Sequence, residues 1–268
     1  MTEKNIETKN TKPRTFVVAD IHGAKEALLE VLSLSKFDNE LDRLIFLGDV
    51  ADGWHEVPEC VDILLNIKNL ICIRGNHDVW LRDWLKSDYD NPMWRPQGGQ
   101  ASYDAYLNKI NYMTTEDYKS WKEKHIDFFE NQVDYYIDEN NNLYTHGGWD
   151  YGWKSDFLEA GLFPINGGNP QDNISKECHW SRELFYGFYS HSEDGLPKKL
   201  KEATEKYNKI FVGHTSLKHP YKPFHKANFY NIDTGAGWNG KLTIMDVETE
   251  EYWQSSNVSE LYPGKRGR

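Results

Sequence analysis

The chain has 268 residues, enough to bury a substantial core. Its 42 acidic side chains outnumber 31 basic ones, for a formal net charge of -11, and no Lys/Arg stripe offers a track for a nucleic-acid backbone. Three cysteines, Cys60, Cys72 and Cys178, are odd in number and irregular in spacing, which excludes a disulfide framework and fits a reducing, cytoplasmic setting. No stretch approaches a membrane span, and the polar, lysine-rich start has no apolar core of the signal-peptide kind.

In chain order, residues 1–13 read as a disordered tail ending at Pro13. Thr15–Ala19 is a continuous apolar run of strand length. From Ala24 to Ser35, Ala27, Leu28, Val31, Leu32 and Ser35 recur at helical spacing. Leu44–Leu47 is a second strand, Val57–Ile67 a second amphipathic helix and Leu70–Ile73 a third strand. Strand, helix, strand, helix, strand predicts a parallel α/β sheet with right-handed crossovers. About 80–130 carries no clear strand and reads as a helical insertion, one wall of a cleft. Strands return at Asp134–Asp138 and Asn142–Thr145. A long aromatic loop includes Gly147–Trp153 and the segment around Trp180. Leu196–Tyr207 predicts a helix, Lys209–Val212 a strand, and Ala227–Ile232 and Lys241–Val247 closing strands. One domain over 14–250 is expected, with 251–268 as a surface tail.

Five short glycine-marked motifs stand apart, most of them directly after an apolar run. They are Ala19-Asp-Ile-His-Gly23, Gly48-Asp-Val-Ala-Asp52, Arg74-Gly-Asn-His-Asp78, Thr145-His-Gly-Gly148 and Gly213-His-Thr215. Strand ends are where a sheet aims side chains at one point. Asp20 and His22, two residues apart past a strand, can point the same way. Asp49 follows the next strand, and a carboxylate can bridge two cations. Asn76 adds a neutral oxygen, and His146 and His214 add nitrogen. The expected sites are Asp20, His22 and Asp49, and Asp49, Asn76, His146 and His214. With no thiolate in the set, two divalent ions of the Mn, Fe or Zn kind are expected. Two such ions can activate water against a phosphate ester. They would also reverse the acidic local field, so the net charge does not exclude a phosphorylated substrate.

In this order the motifs resemble the calcineurin-like metallophosphoesterases, within them the phosphoprotein phosphatase branch, which includes phage-type serine/threonine phosphatases and symmetrical diadenosine tetraphosphatases. The resemblance runs from about Phe16 to Val247. It implies a four-layer α-β-β-α sandwich with a dinuclear centre at the strand ends, and a hydroxide bridging the metals as nucleophile. It also implies that His77 protonates the leaving oxygen while Asp52 holds and polarises it. Arg74 matches a phosphate-contacting arginine of the family, Asn76 borders the substrate, and Arg182 is a further candidate. The family usually reads Gly-Asp-x-x-Asp-Arg-Gly, whereas Gly53 and Trp54 follow Asp52 here. The missing arginine leaves Arg82 and Arg95 of the insertion as open candidates to replace it.

The reading is a phosphatase of phosphomonoesters, on protein or small molecule. One rival is a dinucleoside polyphosphate hydrolase or other phosphodiesterase, toward which Asp78 leans, because many protein phosphatases of the family carry Glu there. The other is a metal-binding scaffold without turnover. His55, His125, His179, His191, His219 and His225 lie outside the motifs and are set aside as ligands.

Overall fold

The computed structural model describes residues 12–149 and 178–268; the expected tail at 1–11 and the aromatic positions Tyr151 and Trp153 lie outside them. Ten strands are described: β1 (Thr15–Val18), β2 (Arg43–Phe46), β3 (Asn69–Cys72), β4 (Tyr135–Ile137), β5 (Leu143–Thr145), β6 (Ile210–Val212), β7 (Phe224–Lys226), β8 (Phe229–Asn231), β9 (Thr243–Asp246) and β10 (Tyr252–Gln254). The helices are α1 (Lys25–Leu34), α2 (Val57–Leu65), α3 (Asn76–Ser87), α4 (Gly99–Lys109), α5 (Thr115–Glu130), α6 (Glu183–Tyr189), α7 (Lys198–Thr204) and α8 (Val258–Leu261).

The strands form two five-stranded sheets, ordered β10-β9-β1-β2-β3 and β4-β5-β6-β8-β7. β1, β2 and β3 run parallel, with Val17 beside Ile45 and Ile45 beside Ile71. β5, β6 and β8 are parallel in the second sheet. Period-two alternation distributes the core. In β1, Phe16 and Val18 face α1 and α2, while Val17 and Ala19 join Ile45, Phe211 and Tyr230 between the sheets. In β6, Ile210 and Val212 face α6 and α7, while Phe211 faces the other sheet. The result is the expected α-β-β-α layering, with both parallel edges ending toward one side. That side collects the motifs.

The insertion is helical, as expected: α3 through α5 cover Asn76–Glu130 with no strand between Trp80 and Glu130. Residues 251–268, read from sequence as a surface tail, are instead packed. β10 pairs with β9, Val258 is fully buried, and Tyr262 belongs to the first core. Among the described residues no helix is long and apolar enough to cross a membrane.

Candidate metal centre and its proton relay

The motifs at Asp20, Asp49 and His214 leave their strands through sharp backbone reversals. Asp20, His22, Asp49, Asp52 and His214 all have positive φ, between 48° and 70°. Asp and His tolerate the left-handed region better than most residues, but each still costs of order 1 kcal/mol and persists only when the surroundings impose it. The surroundings here are hydrogen bonds across adjacent strand ends. Asp20 N–H donates to the Gly48 carbonyl (3.1 Å), His22 N–H to Asp49 (2.9 Å) and Gly23 N–H to Val50 (2.9 Å).

The Asp49 turn is held from beneath by Asp78, which is fully buried. Its carboxylate accepts from the N–H groups of Asp49 (3.0 Å), Val50 (2.9 Å) and Ala51 (3.1 Å), and from Gln132 Nε2 (2.9 Å). Asp78 therefore faces the protein and cannot touch a substrate, so the preference read from its identity has no contact through which to act.

Two clusters of ligand-type atoms result. Asp20, His22 and Asp49 form one, and Asp49, His146 and His214 the other, with the atoms of each within 4.8 Å of one another. Asn76 Oδ1 joins the second, 3.2 Å from His146 Nε2. All six predicted ligand positions thus converge, and Asp49 is shared. Asp233, at the end of β8, adds a buried carboxylate beside Asp20. Its signal in the sequence was the same as that of Asp20, an acidic residue straight after an apolar strand.

The donor set suits divalent cations. His22 Nδ1 lies 2.8 Å from the Ala51 carbonyl and His146 Nδ1 2.7 Å from that of Leu47. In the neutral imidazoles those bonds place the protons on Nδ1 and leave Nε2 as a lone pair. His146 Nε2 then faces Asp49 Oδ2 at 3.3 Å and Asn76 Oδ1, which are also acceptors. Asp49 Oδ2 is buried without a hydrogen-bond partner. Converging lone pairs of this kind are satisfied by a cation, not by one another.

Charge within the clusters fits the same reading. Burial and Asp233 push Asp20 well above the usual carboxylate range. Burial would raise Asp49 too, but His146 and His77 hold it well below. Burial pulls His146 down, yet Asp49 outweighs it and lifts the imidazole to about 9. Burial and Arg268 hold His22 well below its ordinary value, and burial and His146 do so for His214. His22 and His214 are thereby neutral, the form a metal takes, while His146 carries a proton beside Asp49 that a bound cation would displace.

Beside these clusters lies a buried His–Asp pair. His77 Nδ1 sits 2.6 Å from Asp52 Oδ2, and both residues are buried. Asp52 Oδ1 accepts from Trp94 Nε1 and Ser102 Oγ, each at 2.8 Å. Trp94 and Ser102 come from the insertion, so that region anchors the His77–Asp52 pair. Sequence reasoning missed both, because nothing local links them to Asp52.

The arginines divide. Arg74 is buried and engaged, with Nη1 2.7 Å from Asp134 Oδ1 and Nη2 2.5 Å from the Gln132 carbonyl. His179 shares Asp134 at 2.8 Å and stays outside the clusters. Arg182 is exposed, and its charge helps lower His214. Arg82 pairs with Asp83 (2.7 Å), and Arg95 pairs with Asp90 and lies over Tyr103.

A double-sheet sandwich with carboxylates and imidazoles gathered at its strand ends defines a hydrolase of the metal-assisted kind. The chain belongs to the calcineurin-like phosphoesterases, whose family model matches residues 13–230. It is 30% identical over 235 residues to serine/threonine-protein phosphatase 2 of Salmonella typhimurium, covering 87% of this chain and 92% of that protein. It is 35% identical over 270 aligned positions to the symmetrical bis(5'-nucleosyl)-tetraphosphatase of Pseudomonas fluorescens, covering 88% and 89%. The fold is shared with a cold-active protein-tyrosine phosphatase of a psychrophilic Shewanella (TM-score 0.57, 17% identity, 92% and 81% covered). It is also shared with a putative diadenosine tetraphosphatase (TM-score 0.54, 17% identity, 91% and 94% covered).

Proposed function

We propose that the protein is a dinuclear metal-dependent phosphatase of phosphomonoesters, phosphoproteins among them. The observation that carries this is Asp49, a buried carboxylate common to both clusters with one oxygen unpartnered. Asp20, His22 and Asp49 would hold one ion, and Asp49, Asn76, His146 and His214 the other, as Mn, Fe or Zn. Bound there, the ions would supply Lewis acidity and a water ready for attack near neutral pH.

The chain's own residues do the rest. With Nδ1 committed to Asp52, His77 gives its Nε2 proton to the leaving oxygen. Trp94 and Ser102 keep Asp52 from turning away. Asn76 borders the phosphate at the start of α3, Arg74 would reach it only by leaving Asp134 and the Gln132 carbonyl, and Arg182 approaches from the His214 side. The odd number and irregular spacing of the three cysteines support a reducing, cytoplasmic setting.

One observation favours a second reading. Two half-exposed indoles sit near the clusters: Trp180, 6.4 Å from the His214 ring, and Trp238, beneath Arg268. Such rings can stack on a base, as a dinucleoside polyphosphate hydrolase would need.

The test is turnover by chelated, remetallated protein. p-Nitrophenyl phosphate, its bis ester and diadenosine tetraphosphate are compared with Mn²⁺, Fe²⁺, Zn²⁺ and Mg²⁺, beside Asp49→Asn. Metal-dependent monoester hydrolysis lost in the variant is expected. Activity confined to the diester or the dinucleotide would transfer the assignment, and metal binding without turnover would leave a scaffold.

A further inference from the structure

A cation reaches the first cluster from outside the five motifs. The segment 255–268 is strapped to the sandwich along its length. Ser256 N and Oγ both donate to Glu30, at 2.9 Å each. Tyr262 stacks on Trp54 (4.9 Å between centroids, 22°) and donates its hydroxyl hydrogen to Glu56 at 2.7 Å. Arg268 N–H donates to the Gly237 carbonyl at 2.8 Å. The Arg268 side chain then enters a slot defined by glycines. A Cβ on Gly53 would lie 3.2 Å from its Cγ, and one on Gly98 2.9 Å.

The guanidinium ends on the cluster. Nη1 lies 3.1 Å from His22 Nε2, Cζ lies 5.4 Å from the Trp238 ring centroid, and Nε is buried without a hydrogen-bond partner. Because His22 Nδ1 is committed to Ala51, its Nε2 has one lone pair. That lone pair can serve the Arg268 N–H or a metal, not both. With His22 given to a metal, Arg268 becomes a planar fork of unpaired donors at the centre's edge. The acceptor that matches its charge and shape is a phosphate. Arg82 and Arg95, the alternatives from the insertion, are committed to carboxylates elsewhere.

We propose that Arg268 grips the substrate phosphate at the first cluster, in the space that the absence of a side chain at Gly53 leaves free. This rests on the phosphatase reading of the site. A side chain at 53 would crowd the Arg268 stem, its Cβ alone lying 3.2 Å from Cγ.

The test uses inorganic phosphate as the probe, so it does not depend on turnover. Mn²⁺ binding to the chelated protein, and phosphate binding to the Mn²⁺-loaded protein, are measured calorimetrically for wild type, Arg268→Lys and Arg268→Ala. Losing a charge-assisted fork should weaken phosphate about 10- to 100-fold in Arg268→Ala, and less in Arg268→Lys, which keeps the charge and the packed stem. Mn²⁺ affinity should be unchanged or tighter, since the competitor for His22 is gone. KM for p-nitrophenyl phosphate should rise with the phosphate constant. Phosphate affinity within about twofold of wild type, or a loss that merely follows lost Mn²⁺ binding, would overturn the proposal. Absence of turnover with phosphate binding still dependent on Arg268 would count against the phosphatase reading alone.

Discussion

Gly213→Ala is the sharpest perturbation available. Gly213 follows β6 and precedes His214, and its backbone has no left-handed strain to complicate the exchange. A Cβ built there lies 2.1 Å from Asp20 Oδ2 and 3.0 Å from Ala19 Cβ. Carbon atoms so placed essentially never approach another atom closer than 3.0 Å, so the carboxylate must retreat by at least 0.9 Å (3.0 minus 2.1). Metal–oxygen bonds tolerate only about 0.2 Å. Asp20 belongs to the first cluster alone, whereas the second is built from Asp49, His146 and His214. The expected outcome is loss of one Mn²⁺ site, by at least about 10- to 100-fold in affinity, with the other nearly intact. Calorimetric titration of the chelated protein reads both sites at once. Two sites of wild-type affinity would refute the assignment of Asp20, and loss of both would refute the division into two clusters.

Other outcomes follow from single contacts. His77→Asn should lower kcat about 10²- to 10⁴-fold at unchanged metal stoichiometry, and Trp94→Phe, which leaves Ser102 on Asp52, should lower it less; steady-state kinetics with metal analysis orders them. Asp78→Asn keeps one acceptor oxygen but turns an amide donor against either the Asp49 N–H and Gln132 Nε2 or the Val50 and Ala51 N–H groups, and should destabilise the fold by about 3 kcal/mol, read by urea unfolding. At Asp42, burial raises the carboxyl, but hydrogen bonds from Arg14 and the Asp38 N–H outweigh it and hold the group below its ordinary value. A depressed carboxylate stabilises fully above its unfolded value of about 3.9 and loses that as pH falls through the folded one. Asp42→Asn should therefore cost about 1.5–3 kcal/mol at pH 7, with the gap from wild type closing below about pH 4 in chelator-containing urea titrations.

The parallel half of the first sheet was legible because β1, β2 and β3 are short apolar runs between amphipathic helices. Two of the four edge strands, β7 and β10, were not. Phe224–Lys226 and Tyr252–Gln254 are three residues each, partly exposed and without apolar continuity, and they exist through their pairing with β8 and β9. The helix expected over 196–207 shortens to Lys198–Thr204, its start set by Pro197 at the cap. The convergence of Asp20, His22, Asp49, Asn76, His146 and His214 was readable because each follows or opens an element at a strand end. The role of Asp78 was not legible, because the need of the Asp49 turn for an acceptor is a tertiary fact. Arg268 could not be found at all: 246 positions separate it from His22, and no local pattern spans that distance.

The most direct measurement is electron paramagnetic resonance of the Mn²⁺-loaded protein. Two ions sharing the Asp49 carboxylate should give an exchange-coupled multiline spectrum at two Mn²⁺ per chain, and Asp49→Asn should collapse it to the signal of isolated ions or to none. Two uncoupled ions in the wild type, or a coupled spectrum that survives Asp49→Asn, would contradict a centre built around that shared carboxylate.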